Sequence, residues 1–227
     1  MREIVLDTET TGLDPKAGHR LVEIGCIELI NRLPTSNQFH HYIDPEMAMP
    51  EDAYRIHGID DAMLVGKPKF ADIAGDFLAF VGDAPLVAHN ASFDLNFINA
   101  ELVMAGRPPL PAEQAVDTVA IARRKFPGSP ASLDALAKRF NIDLSAREKH
   151  GALLDASILA AVYLELMGGR EPGLHLATSD GKPTAAAGTT IRRPARPARP
   201  HAASTDELAA HANFLDTAVT DPIWRRE

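Results

Sequence analysis

Ile4, Val5 and Leu6 run directly into Asp7, Thr8, Glu9, Thr10, Thr11 and Gly12, which predicts a buried strand ending in a turn. Residues 21–30 form a longer apolar run broken by Glu23 and Glu28, and residues 39–43 alternate apolar and polar positions, predicting two more strands. The connections are too short for a crossover helix, so the three strands read as antiparallel neighbours. Pro45 and Pro50 mark the turn before a short helix over 50–57, and Phe70, Ile73, Ala74, Phe77, Leu78 and Val81 recur at helical spacing. Residues 84–88 read as a brief strand, with Ser92 capping a helix that runs to about Gly106. A strand over 114–117 follows, then a helix ending before Pro127, a helix opened by Ser132, and the longest apolar helical pattern over 152–167, stopped by Gly168 and Gly169. This order predicts an α/β domain of about 170 residues, with helices packed on a mixed sheet.

Beyond residue 170 the pattern is lost. Residues 178–204 hold Pro183, Pro194, Pro197 and Pro200, Arg192, Arg193, Arg196 and Arg199, and many alanines, with scarcely a large apolar side chain. Such a stretch cannot bury enough surface to offset its chain entropy, so 171–204 is read as a flexible linker. Thr205 then opens an amphipathic segment with Leu208, Ala212 and Leu215 at helical spacing and Phe214 beside them, and Trp224, the only tryptophan, lies near the end. The expected division is 1–170, 171–204 and 205–227. Leu208, Phe214, Leu215 and Trp224 are expected to anchor a partner, because a tryptophan beyond a polar linker has no core to join.

Composition narrows the class. A hydrophobic content of 45% supports a sizeable core, and no apolar run is long enough to span a bilayer. Met1-Arg2-Glu3 leads straight into a strand, without the residue order of a signal peptide, so the expected location is the cytoplasm with no membrane contact. One cysteine rules out an internal disulfide and a cysteine-built zinc site, and Cys26, within an apolar run, is expected to be buried and inert. Residues 1–170 carry 16 basic against 24 acidic residues, and 171–227 carry 7 against 7, so the net charge of −8 lies wholly in the predicted domain. An acidic domain grips nucleic acid poorly by itself, since that affinity comes mainly from neutralising phosphates.

The chemistry begins at the first strand. Side chains two apart leave a strand on the same face, which places Asp7 beside Glu9. Alone, such a pair is common on surfaces; buried together, the two repel each other and favour a divalent cation with hard oxygen ligands. Asp94 shares a helical face with Phe97 and Ile98, and Asp155 shares one with Ile158, Leu159 and Val162, where an ionised group needs a cation or donors. His150 precedes Asp155 by five residues, but Gly151 lets the chain turn before the helix, so a loop histidine can swing toward the same site. A histidine so placed suits a general base near neutrality. His19, His40, His41 and His201 are read as surface residues.

Asp7-Thr-Glu9-Thr-Thr-Gly12, His89-Asn90-Ala-Ser-Phe-Asp94 and His150-Gly-Ala-Leu-Leu-Asp155, in that order, resemble the three motifs of the DnaQ-like 3′–5′ exonucleases over about residues 1–167. Within that family the chain most resembles the proofreading subunits of bacterial replicative polymerases. The resemblance implies an RNase H-like fold and hydrolysis with two divalent ions, Mg²⁺ or Mn²⁺. One ion would be held by Asp7, Glu9 and Asp155, and the second mainly by Asp7, with Asp94 reaching it through water; His150 would take the proton. Ile56-His57-Gly58-Ile59 matches the family's nucleotide-contacting loop, which puts Thr10, Asp52 and His57 with the acids at the terminal nucleotide of a single-stranded DNA 3′ end. The linker and last segment resemble the tether to the polymerase catalytic subunit. Glu171-Pro-Gly-Leu174-His-Leu176 resembles a sliding-clamp-binding pattern, with Glu in place of the usual first Gln. The competing readings are an RNA-trimming enzyme of the same superfamily and a non-catalytic assembly subunit.

Overall fold

The computed structural model describes residues 1–145, 149–169 and 203–218. A five-stranded mixed sheet organises the first unit, in the order β3-β2-β1-β4-β5. Strands β1 (Arg2–Thr10), β2 (Leu21–Ile30) and β3 (Leu33–Tyr42) form the expected antiparallel meander. Strands β4 (Leu86–Ala88) and β5 (Ala115–Asp117) extend it in parallel beside β1. Helices α1 (Glu51–His57), α2 (Asp61–Leu64) and α3 (Phe70–Val81) lie between β3 and β4, and α4 (Ala91–Met104) joins β4 to β5. Helices α5 (Thr118–Lys125), α6 (Leu133–Arg139) and α7 (Ala152–Leu166) follow.

Both faces of the sheet are covered, which is why β1 and β2 read as nearly continuous apolar runs. Ile4 and Leu6 face a core built with Phe70, Phe77, Phe97 and Ile98 from α3 and α4. Val5 faces the other way, into a core with Ala122, Leu136, Leu159 and Val162 from α5, α6 and α7. Asp7 and Glu9 share the face of Val5 by strand alternation, and so point to the side covered by α7. Gly25 on β2 lets α7 come close: a Cβ there would lie 2.4 Å from the Leu153 backbone nitrogen. At the far end of α7 the Tyr163 hydroxyl donates to the buried Glu3 carboxylate at 2.7 Å. Burial, with that hydrogen bond second, pushes the Tyr163 phenol up to about 12.

Two local expectations are revised, and one short helix was not foreseen. β3 begins at Leu33, six residues before the alternating stretch, because its first half is a mostly exposed edge containing Pro34 and needs no apolar face. Asn90, not Ser92, caps α4; it takes the left-handed conformation (φ 72°), and Ser92 sits in the first turn, its hydroxyl donating to Asn90 Oδ1. α2 has four residues, too few to show a period.

The second unit contains α8 (Thr205–Ala218), as the amphipathic pattern predicts. Leu208 and Phe214 are exposed on it, and Leu215 is buried. Leu174, Leu176 and Trp224 lie outside the described residues, as does His201. No helix among the described residues is long and apolar enough to cross a membrane.

Candidate active site

The C-terminal half of β1 delivers the first acids. The register with β2 shifts between Glu9 and Thr10, an irregularity that re-aims side chains at the strand end. α7 supplies the next groups. Gly151 is extended (φ −159°) at the N-cap position, the Asp155 amide donates to the Gly151 carbonyl at 2.8 Å, and Asp155 lies in the first turn with 2% exposure. His150 reaches back over that turn, so that Nδ1 lies 3.0 Å from Asp155 Oδ2, while the ring remains half exposed. Its backbone N–H approaches the Ile56 carbonyl on α1 at 3.4 Å. One ligand atom each from Glu9, His150 and Asp155 falls within 4.8 Å of the other two. Two buried carboxylates and an imidazole at such spacing fit a hard divalent cation.

Two cavities meet this cluster. One, of about 240 Å³, is lined by Asp7, His150 and Asp155 together with His89, Ser132 and Asp134. The other, of about 440 Å³, is lined by Glu9, Thr10, Asp52, Ile56, His57 and Phe93. Of the expected substrate contacts, Glu9, Thr10, Asp52 and His57 line this second cavity, and Asp7 and Asp155 line the first. His57 is buried; its Nδ1 accepts from the Ile59 amide at 3.0 Å, and Nε2 has no hydrogen bond among the described residues. Burial holds the His57 pKa below the ordinary histidine value, with the Thr10 backbone acting in the opposite direction.

Asp94 is not drawn into the three-residue cluster. It is 3% exposed in the first turn of α4, and its Oδ1 accepts from Thr8 Oγ1 at 2.8 Å. Burial pushes its carboxyl up to about 7, opposed by the Thr8 hydrogen bond. A carboxylate so disfavoured is one that a nearby positive charge would stabilise.

An exonuclease family model (RNase_T) matches residues 4–163. The chain belongs to this exonuclease family. The exonuclease is 48% identical over 232 residues to the DNA polymerase III subunit epsilon of Rickettsia felis, an alignment that spans 96% of this chain and 97% of the relative. The Escherichia coli DNA polymerase III subunit epsilon is 42% identical, over 95% of this chain and 92% of that one. Among solved structures, Exonuclease X in complex with 5′ overhanging duplex DNA is 30% identical with a TM-score of 0.56, covering 72% of this chain and 90% of that chain. The mixed sheet flanked by helices is the RNase H-like arrangement of such exonucleases.

Sequence reasoning gave His89 no role of its own in this exonuclease. His89 lines both the cavity of about 240 Å³ and an adjoining one of about 590 Å³ that includes Asn90, Asp117 and Arg123. Its Nδ1 lies 2.9 Å from Thr118 Oγ1, and burial lowers its pKa; the signal was its place in the second motif. Lys125 is a structural residue, since its ammonium donates to the Glu165 and Leu166 carbonyls at the end of α7. His40 is not a simple surface residue: Nε2 lies 2.7 Å from the buried Glu23 carboxylate. Cys26 is buried, and desolvation holds its thiol well above the ordinary value, so it stays inert.

Proposed function

We propose that this exonuclease removes mismatched nucleotides one at a time from the 3′ end of DNA, releasing nucleoside 5′-monophosphates, as the proofreading subunit of a bacterial DNA polymerase III. The observation that carries the reading is the convergence of Glu9, His150 and Asp155 within 4.8 Å, beside a cavity that also contains Asp7. Near-full-length identity to epsilon subunits supports the 3′–5′ direction and the proofreading role.

Two Mg²⁺ or Mn²⁺ ions, when bound, would activate the attacking water and stabilise the leaving 3′ oxygen. Asp7, Glu9 and Asp155 would hold the first. Asp7 would hold the second, with Asp94 acting on it through water. His150, oriented by Asp155 through Nδ1, takes the proton from the attacking water and returns it to solvent across its exposed edge. Thr10, Asp52 and His57, with Ile56 and Phe93, form a mostly apolar cavity that suits the terminal nucleoside, the base against the apolar side chains and the sugar toward the polar ones.

The net charge of −8 in residues 1–170 argues for weak DNA affinity in isolation, so the substrate would be delivered by the polymerase. Residues 171–204 are the spacer and 205–227 the segment that docks on the polymerase catalytic (alpha) subunit, with Leu208 and Phe214 exposed for it on α8. Tethering makes re-encounter with a frayed 3′ end effectively intramolecular, at about mM local concentration. Residues 171–176 would add a weak clamp contact through Leu174 and Leu176. The expected site of action is the cytoplasm.

The test is a 5′-labelled primer with a mismatched 3′ end, incubated with and without Mg²⁺, alongside Asp7→Ala. Single-nucleotide, metal-dependent shortening that is lost in Asp7→Ala supports the reading. Intact DNA with trimmed RNA would move the substrate to RNA, and no cleavage of either would leave an assembly subunit.

A further inference from the structure

We propose that Glu23 is a positioning residue for the exonuclease reaction, pinning the first turn of α7 so that Asp155 and His150 are held in register with Asp7 and Glu9. The proposal rests on the reading of those four residues as the reacting site.

The first N–H groups of a helix have no partner within the helix and need an outside acceptor. The N-cap position of α7 is Gly151, which has no side chain to supply one. The acceptor comes instead from another strand: Glu23 Oε2 accepts the Ala152 N–H at 3.1 Å, across 129 positions of sequence. Glu23 is 3% exposed, and its Oε1 is held by His40 Nε2 at 2.7 Å, so the carboxylate is fixed from both sides. A negative group is favourable at a helix N-terminus, where the peptide dipoles leave partial positive charge. Two residues along the same face of β2, Gly25 forms the notch into which the helix start fits. A Cβ at Gly25 would lie 2.4 Å from the Leu153 nitrogen and 2.5 Å from the Ala152 carbonyl carbon. Ala152 itself is fully buried.

The consequences reach the site through short, stiff links. Asp155 is three residues past the pinned amide, and its own amide bonds the Gly151 carbonyl. His150 is two residues before the pinned amide, and its ring rests on Asp155. Across the ladder Glu23 pairs directly with Glu9 on β1. One cross-strand pair therefore has its two members serving the two sides of the site: Glu9 belongs to the acid cluster, and Glu23 sets the height of the helix that brings Asp155 to it. Without the Glu23 acceptor the first turn of α7 would fray or shift, and displacement of catalytic groups by about 1 Å costs on the order of 100-fold in rate.

The experiment uses the full chain with Glu23→Met, which keeps the volume and accepts no hydrogen bond, and Glu23→Gln, whose amide oxygen still accepts from Ala152 while its NH₂ donates to His40. Excision from the mismatched primer is measured as kcat and KM, Mn²⁺ affinity by calorimetry, and amide exchange at Ala152 by mass spectrometry or NMR. Glu23→Met is expected to lower kcat by about 10- to 100-fold and weaken Mn²⁺ binding by a similar factor, as loss of support behind metal-binding carboxylates does. KM for the primer should move less than about three-fold, since the nucleoside cavity is not built on α7, and exchange at Ala152 should accelerate. Glu23→Gln should recover kcat to within about three-fold. A folded Glu23→Met chain with wild-type kcat overturns the proposal, as does Glu23→Gln proving as defective as Glu23→Met. Should Glu23→Met fail to fold, Glu23→Asp, which keeps the charge but shortens the reach, takes its place with the same expectations. If the wild-type chain excises nothing, the functional reading fails, and Mn²⁺ affinity together with Ala152 exchange still decides for or against the role of Glu23.

Discussion

Asp94 gives the sharpest energetic prediction. It is buried at the start of α4 with Thr8 as a hydrogen-bond donor, and burial raises its carboxyl from 3.8 to about 7. Between those values the folded chain keeps a proton that the unfolded chain has released, so stability falls as pH rises from about 4 to about 7 and then levels off. A difference of about three units at 1.36 kcal/mol each bounds the loss at about 4 kcal/mol. Asp94→Asn removes the ionisation and keeps an oxygen to accept from Thr8 Oγ1. In EDTA at pH 8, the Asp94→Asn chain should therefore be more stable than wild type, by up to about 4 kcal/mol. Near pH 4 the two should coincide. Urea denaturation at both pH values reads the difference directly, and Mg²⁺ should narrow the gap at pH 8 by stabilising the wild-type carboxylate. Excision should be severely impaired despite the added stability. If metal-free Asp94→Asn is no more stable than wild type at pH 8, ionisation of this carboxyl is not opposed by its surroundings and the argument fails.

Gly25→Ala should destabilise the fold by about 1–3 kcal/mol, because its Cβ would strike backbone rather than a movable side chain, and thermal melting should show it together with slower excision. Arg20 donates through Nε to the buried Glu101 carboxylate at 2.7 Å; Arg20→Met should cost about 3 kcal/mol in urea denaturation, near the lower end for a broken buried pair because Arg20 keeps partial access to water. A loss below about 1 kcal/mol would show that Glu101 finds other solvation. His150→Gln should lower kcat by about 10²- to 10⁴-fold, the range for a lost general base, with primer KM nearly unchanged. An equal rise in KM would instead make His150 a substrate ligand.

Periodicity and turn chemistry alone predicted the antiparallel strand triplet, the span of α3, the Ser132 cap, the long α7 and the amphipathic tail, because each is a local pattern of apolar spacing closed by Pro, Gly or a capping residue. The alternation along β1 likewise placed Asp7 and Glu9 on one face, and Gly151 ahead of α7 allowed His150 to meet Asp155. What the chain could not show is which group each buried acid meets. Glu3, Glu23 and Glu101 are as deeply buried as Asp94 and Asp155. They are matched by Tyr163, by His40 with the Ala152 amide, and by Arg20, partners lying 160, 17 and 129, and 81 positions away. Only packing brings such distant donors to an acid, and so only the tertiary structure decides which group meets each buried carboxylate and gathers Glu9, Asp155 and His150 within 4.8 Å of one another.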